Sequence, residues 1–157
     1  MQDPKSLQSV AEFHKTFKHP ILESPQIPDE KRCKLRVSLL VEELNELVEG
    51  IKSKDIVEVA DAFCDLQYVL SGAILEFGLA DKFKELFDEV QRSNMSKACN
   101  NELEAKDTVA HYKLAKGVDC YYEEADGKYL VFRREDRKTL KSIYYSEANL
   151  KRVLENK

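Results

Sequence analysis

A charge imbalance confined to the most apolar part of the chain restricts what it can fold into more than any other feature. Between Val37 and Asp81 stand ten Asp or Glu residues and only two basic ones, Lys52 and Lys54. That stretch is net −8 while the whole chain is −4, which leaves the remainder at +4. The acids fall in two groups, Glu42-Glu43-Leu44-Asn45-Glu46 and then Glu58-Val59-Ala60-Asp61, continued by Asp65. A carboxylate set among apolar side chains is costly to bury unless something pairs with it. Neither group has a Lys or Arg on its own helix face. A bound cation is the partner this pattern calls for.

The periodicity around the acids is helical. Leu7, Val10, Ala11, His14 and Phe17 predict a first helix over 6–18. Pro20, Pro25 and Pro28 then impose an extended connector, since each lacks a donor and restricts the residue before it. A second helix is expected from about Glu30 to Glu49, ending at Gly50. Val37, Leu40, Val41, Leu44, Leu47 and Val48 form its core side, and Glu42, Glu43, Glu46 and Glu49 lie opposite. Leu35 and Leu39 share the acidic side, which makes it more than a solvent face. A third helix is expected from a cap at Asp55 to about Phe77, with Ile56, Val59, Phe63, Leu66, Leu70 and Ile74 as its core stripe. Glu58, Asp61 and Asp65, at i, i+3 and i+7, make one narrow line along it. The short connection between the two helices predicts an antiparallel hairpin with its acidic lines facing each other.

Asp81 to Lys97 reads as a fourth helix and Glu102 to Lys116 as a fifth. Beyond them Cys120-Tyr121-Tyr122 and Tyr129-Leu130-Val131-Phe132 flank Asp126-Gly127, a strong hairpin signal. Ser146 is placed to cap a last short helix through Leu154. The expected fold is mainly α: an antiparallel bundle with a four-helix core and a small C-terminal β-hairpin appendage. One domain is expected at this length, its core over about 6–98 and its appendage over about 99–157. Cys33, Cys64, Cys99 and Cys120 are widely spaced with no C-x-x-C pair, as in the reduced thiols of a cytoplasmic protein. No apolar run reaches the length of a membrane span, and the polar N-terminus lacks the apolar core of a signal peptide. Without a basic run the chain is not expected to bind a nucleic-acid polymer.

Five or six carboxylates converging from adjacent helices form a hard oxygen cage, the donor set of Mg²⁺, with Mn²⁺ as the alternative. A di-iron bundle requires Glu-x-x-His pairs, and none of His14, His19 or His111 supplies one. The bland reading of Glu42-Glu43-x-x-Glu46 alone is a solvated helix face. The second acidic line, on a helix too apolar to be exposed all round, tips the balance toward metal.

Glu42-Glu43-x-x-Glu46 followed by Glu58-x-x-Asp61 resembles the E-E-x-x-E…E-x-x-D signature of the all-α, MazG-like nucleoside triphosphate pyrophosphohydrolases. That superfamily includes phosphoribosyl-ATP pyrophosphohydrolase and the dimeric dUTPases. Arg92-Ser93-Asn94-Met95-Ser96-Lys97 is similar to the R-S-N-M-S-K segment of one branch, and Glu12-Phe13-His14 and the approach from Pro25 to Arg36 fit it too. The resemblance covers about residues 6–98 firmly and 117–154 loosely; the segment from Cys99 to Lys116 is longer than in many relatives. It implies hydrolysis of a nucleoside triphosphate, a dNTP or a non-standard NTP, between the α and β phosphates. Glu43, Glu46, Glu58 and Asp61 would then hold metal and Glu42 would orient or deprotonate the attacking water. Asp65 would bind a further ion or make a packing hydrogen bond. Asn94 and Lys97 would bind sugar and phosphate, and His14 and Phe17 would contact the base or pack in the core. The resemblance further implies a homodimer or higher homo-oligomer, since relatives pair such hairpins so that each completes the other's site.

The chain has five glycines and no G-x-x-x-x-G-K-[ST], so a triphosphate must be held through metal and side chains rather than a glycine-rich cradle. Two other functions remain open at this point: a phosphoribosyl-ATP pyrophosphohydrolase-type activity, and a non-catalytic helical dimerisation module whose carboxylates are solvated or bind metal for structure.

Overall fold

The computed structural model of the chain describes residue 2 and residues 4–155. Its elements are α1 (Ser6–Phe17), α2 (Glu30–Ser53), α3 (Ile56–Glu76), α4 (Ala80–Met95), α5 (Glu102–Lys116), β1 (Cys120–Ala125), β2 (Lys128–Arg133) and α6 (Leu150–Glu155). The fold is mainly α with a small C-terminal β-hairpin, as the periodicities predict. No single helix among the described residues is long and apolar enough to cross a membrane. The chain divides into two compact units, residues 1–84 and 85–157, and the division falls within α4.

In the first unit α2 and α3 form the antiparallel hairpin. Asp29 caps α2 by accepting from the Arg32 amide, and Asp55 caps α3 by accepting from Val57 and Glu58. Gly50 does not stop α2. The helix runs one turn further to Ser53 and is closed by Lys54 in the left-handed conformation, at φ 57°. Gly50 is needed for close approach instead: a Cβ there would lie 3.1 Å from the Val59 amide nitrogen and 3.2 Å from Val59 Cγ2.

The packed faces of the hairpin also differ from expectation. Arg36 and Gly50 are the buried residues of α2, with Leu40, Glu43 and Leu47 half-buried between them. On α3 Ala62 is buried, and the C-terminal end is buried on nearly every side, at Ser71, Gly72, Ile74, Leu75 and Glu76. Ile74 of the expected α3 stripe is buried, and Leu40, Leu47, Val59 and Leu66 are half-buried, but other large apolar residues turn outward. Val37, Val41 and Leu44 of the expected α2 stripe are half or more exposed, as are Ile56 and Phe63 of the α3 stripe. α1 packs against α3 through Val10 and His14, which are buried, and through Phe13, edge-on to Tyr68 at 5.7 Å.

In the second unit Cys99, Ala105, Tyr112, Cys120 and Val131 form the core. β1 and β2 pair antiparallel with Tyr122 opposite Val131, and Asp126 and Gly127, both at positive φ, make the turn. Ser146 is not the cap of α6. Asn149 takes that place, accepting from the Arg152 amide at 3.0 Å, because Ser146 is held elsewhere by Arg92 and Ser96.

Candidate functional site

The acids of α2 and α3 meet across the hairpin. Glu43 is half-buried on the α2 face that packs toward α3, and Asp65 is half-buried on α3, while Glu42, Glu46, Glu58 and Asp61 are exposed. Glu43 is pushed above the ordinary carboxylate range, first by burial and then by the charges of Glu46, Asp65, Glu42 and Asp61. Five acids therefore share one field, and no basic group is among the causes of that shift. Glu46 and Glu58 line a common cleft of about 500 Å³ with Asn45, Gly50 and Ser53. Glu49 lines it too and is paired with Lys52 at 2.7 Å. Among the described residues no three His, Cys, Asp or Glu side chains are drawn close enough to hold an ion between them. Like charges in one field repel, and the exposed ones have room to splay. The donor set is all carboxylate oxygen, which fits a hard divalent cation.

The raised value of Glu43 has a stability consequence. A carboxyl raised in the folded state stabilises the fold while protonated, below its unfolded value, and that contribution is lost as pH rises through the raised value. At neutral pH the metal-free fold therefore carries a penalty. We expect Glu43→Gln to raise the metal-free melting temperature at pH 7 by about 2–4 °C, if relieved repulsion sums to about 1 kcal/mol. The same substitution should abolish or reduce stabilisation by added Mg²⁺. A metal-free melting temperature that falls, in calorimetric scans with EDTA, would show that Glu43 is not repelled by its neighbours.

One charged cluster escaped the sequence reading. Glu76, 1% exposed, is one of the ten acids counted between Val37 and Asp81, and it is not unpaired. Arg32 donates to it through Nε, at 2.9 Å, and through Nη2, and Arg36 donates through Nη2. Burial alone pushes the Glu76 carboxyl up, but the bonds and charges of the two arginines outweigh it and leave it below the usual range. His14, 2% exposed, completes the cluster. Its Nδ1 lies 2.9 Å from the Pro20 carbonyl, an acceptor only, so Nδ1 carries the proton and Nε2 accepts from Arg36 at 3.1 Å. Burial, the largest cause, also lowers the His14 pKa and favours this neutral form. The available signal was Glu76 as the lone charge between Tyr68 and Leu79, with Arg32 and Arg36 spaced i, i+4 to grip it. Phe17, by contrast, is 60% exposed and tilted against Phe13 at 4.4 Å.

In the second unit the R-S-N-M-S-K segment divides in two. Arg92 grips Glu89 with two hydrogen bonds and also donates to Ser146 Oγ and the Glu147 carbonyl. Ser93 meets the Tyr145 hydroxyl at 2.8 Å, and Ser96 accepts from the Ser146 amide at 2.9 Å. These three residues fasten the segment around 145–149 to the end of α4. The bond from Arg92, with the Asn149 amide, draws the Glu89 carboxyl down to about 2. Asn94 is exposed and Lys97 half-exposed, and Lys97 Nζ donates to Asn94 Oδ1 at 2.8 Å. The side chains of those two expected substrate-binding residues thus sit beside each other, while the Lys97 carbonyl accepts from the Ser142 amide at 3.1 Å.

The family model described as phosphoribosyl-ATP pyrophosphohydrolase matches residues 10–94, which takes in all six acids, the Arg32–Arg36–Glu76 cluster and Asn94. The chain is also 27% identical to an uncharacterized protein of Acanthamoeba polyphaga mimivirus, over 94% of this chain and 95% of that protein.

Proposed function

The chain belongs to the phosphoribosyl-ATP pyrophosphohydrolase family, within the MazG-like superfamily, and from that premise we propose that it hydrolyses a nucleoside triphosphate, a dNTP or a non-standard NTP, between the α and β phosphates. The family itself supports a nucleotide pyrophosphohydrolase-type activity. The observation that carries the finer reading is the single field shared by Glu42, Glu43, Glu46, Asp61 and Asp65 across the hairpin.

In this reading Glu43, Glu46, Glu58 and Asp61 hold Mg²⁺ or Mn²⁺, with Asp65 available for a further ion. Bound there, the ion offsets phosphate charge and makes a water more acidic. Glu42 is exposed and flanks Glu43, and its carboxylate accepts the proton of the attacking water. Lys97 supplies a point charge to phosphate and Asn94 a donor to phosphate or sugar. His14, committed to Pro20 and Arg36, positions the arginine rather than meeting substrate, while exposed Phe17 is free to lie against a base.

The outward apolar side chains support a homodimer in the same reading. Val37, Val41, Leu44, Ile56 and Phe63 lie half or more exposed on one helical hairpin, and covering each would bring a part of the roughly 1.5–3 kcal/mol that full burial of such a side chain is worth. Two-fold pairing is the commonest way to cover such a surface.

The test is a panel of dNTPs, non-standard NTPs and phosphoribosyl-ATP, with Mg²⁺ or EDTA, scored for pyrophosphate release while light scattering follows the mass in assay buffer. We expect Mg²⁺-dependent release from at least one triphosphate by a species of twice the 18.1 kDa chain mass or more. No release from any member would remove the enzymatic reading, release from phosphoribosyl-ATP alone would replace the substrate, and a fully active 18.1 kDa monomer would remove the dimer.

A further inference from the structure

In the second unit α5 carries three side chains that hold one short stretch of the chain. Glu104, Thr108 and Tyr112 stand at i, i+4 and i+8, which puts them on one face of the helix. All three are buried. The Tyr112 hydroxyl accepts from the Lys141 amide at 3.2 Å, the Glu104 carboxylate accepts from the Ser142 hydroxyl, and Thr108 Oγ1 accepts from the Ile143 amide at 3.2 Å. Residues 141–143 are thus fixed one by one against α5. Burial pushes the Glu104 carboxyl up, but the bonds from Ser142 and from the amide and side chain of Asn100 outweigh it and leave it below the usual range. Glu104 is therefore an ionised acceptor at neutral pH, and Ser142 is bonded to a charge.

What this stretch holds in turn is Lys97. The Ser142 amide donates to the Lys97 carbonyl at 3.1 Å. Lys97 lies beyond the end of α4 at Met95, so no helical ladder fixes that carbonyl. The Lys97 amide donates to the Asn94 carbonyl at 3.2 Å, and its Nζ donates to Asn94 Oδ1 at 2.8 Å. The bond from Ser142 ties the same residue from its other side. Ser142 supplies that bond only while its own position is set. Its Oγ donates to Glu104 and accepts from the Tyr144 amide at 3.0 Å. Ser142 is 4% exposed, so losing Glu104 would leave its hydroxyl buried without that acceptor. Two hydrogen bonds in series therefore lead from Glu104 through Ser142 to the main chain of Lys97.

Resting on the nucleotide reading above, we infer that Glu104 is a positioning residue of the phosphate site: through Ser142 it fixes the Lys97 main chain and so places the Lys97 ammonium for the triphosphate. The lysine stem is long and flexible. A loosened backbone adds to that freedom and lowers the share of conformations in which Nζ meets phosphate. Glu104 touches no substrate in this scheme, and its whole effect on binding passes through Lys97.

A double-mutant cycle in the full chain tests this, with inorganic triphosphate and Mg²⁺ as the probe and calorimetry as the readout. Lys97→Ala alone should weaken binding about 10–100-fold, the worth of one hydrogen bond to a charged group. Glu104→Ala should weaken it about three- to tenfold in the wild-type background and not at all in the Lys97→Ala background, because residues that act through one another are not additive. Glu104→Gln keeps an oxygen for the Asn100 amide and offers an amide N–H to Ser142 Oγ, so it should restore most of the affinity. Amide exchange gives a second readout that needs no ligand. The Ser142 amide should exchange about tenfold faster or more in Glu104→Ala, while the Tyr129 amide, bonded to the Cys99 carbonyl at 3.0 Å, keeps its wild-type rate. Should Glu104→Ala fail to fold, Ser142→Ala cuts the same link and takes its place. Equal losses in both backgrounds, or wild-type affinity in Lys97→Ala or in folded Glu104→Ala, overturn the inference and leave the hydrolase reading standing. Exchange that quickens at Tyr129 as much as at Ser142 also overturns it, since Glu104 would then support the unit as a whole. A wild-type chain that binds no triphosphate and cleaves no nucleotide sinks the premise and the inference together, a result visible without any variant.

Discussion

Replacing Glu76 by alanine is expected to destabilise the first unit by about 3–5 kcal/mol, because it strands two guanidinium groups that the carboxylate now pairs. For a chain of this size that corresponds to a fall in melting temperature on the order of 10 °C. Glu76→Gln, which keeps one acceptor oxygen, should cost less. Arg32→Ala should also cost less, since the Arg32 side chain is 24% exposed and Glu76 would retain Arg36. The pH dependence has a definite sign. Glu76 is held below its ordinary range, so its contribution is present above the unfolded value and lost as pH falls through the folded one. The gap between wild type and Glu76→Ala should therefore narrow on acidification. Equal melting temperatures at pH 7 would mean that the cluster does not support the fold.

The second large effect concerns turnover. Under the proposed function, Asp61→Asn and Glu46→Gln should each lower kcat/KM by about 10³-fold or more, the scale of removing one well-placed electrostatic group. Calorimetry should show weakened Mg²⁺ binding in both. Glu42→Gln should behave differently, binding Mg²⁺ and nucleotide normally while kcat falls about 10²–10⁴-fold. Wild-type kcat in Glu42→Gln would take that residue out of the mechanism. Wild-type Mg²⁺ affinity in both Asp61→Asn and Glu46→Gln would take the ion away from the hairpin.

The helices were legible because a 3.6-residue period survives whatever packs on it, and the bounds of α5 match the expected ones. What failed was decided by contacts distant in sequence. Gly50 looked like a terminator because glycine commonly ends helices, but its absent side chain is used by Val59 across the hairpin. Ser146 looked like a cap because nothing local reveals Arg92, 54 residues away. The buried faces were anticipated only in part: Ile74 is buried, but bulk was taken as the mark of burial, and small Ala62, Ser71 and Gly72 are buried where Ile56 and Phe63 are not. At the candidate site the facing of the two acidic lines followed from spacing and a short turn. The pairing of Glu76 did not, since its partners lie 40 and 44 residues back on another helix.

The split within Arg92-Ser93-Asn94-Met95-Ser96-Lys97 gives one short word two meanings. Arg92, Ser93 and Ser96 answer to residues 145–147: Arg92 and Ser93 meet the side chains of Ser146 and Tyr145, while Ser96, and Arg92 at Glu147, meet main-chain atoms that any residue there would offer. The side chains of Asn94 and Lys97 answer to each other. Among descendants of a common ancestor, Arg92 with Ser146 and Ser93 with Tyr145 should therefore drift as pairs, on the clock of folding. Under the proposed function Asn94 and Lys97 should instead drift with the nucleotide, and a lineage that changed it could rewrite them while the clasp around them stayed the same.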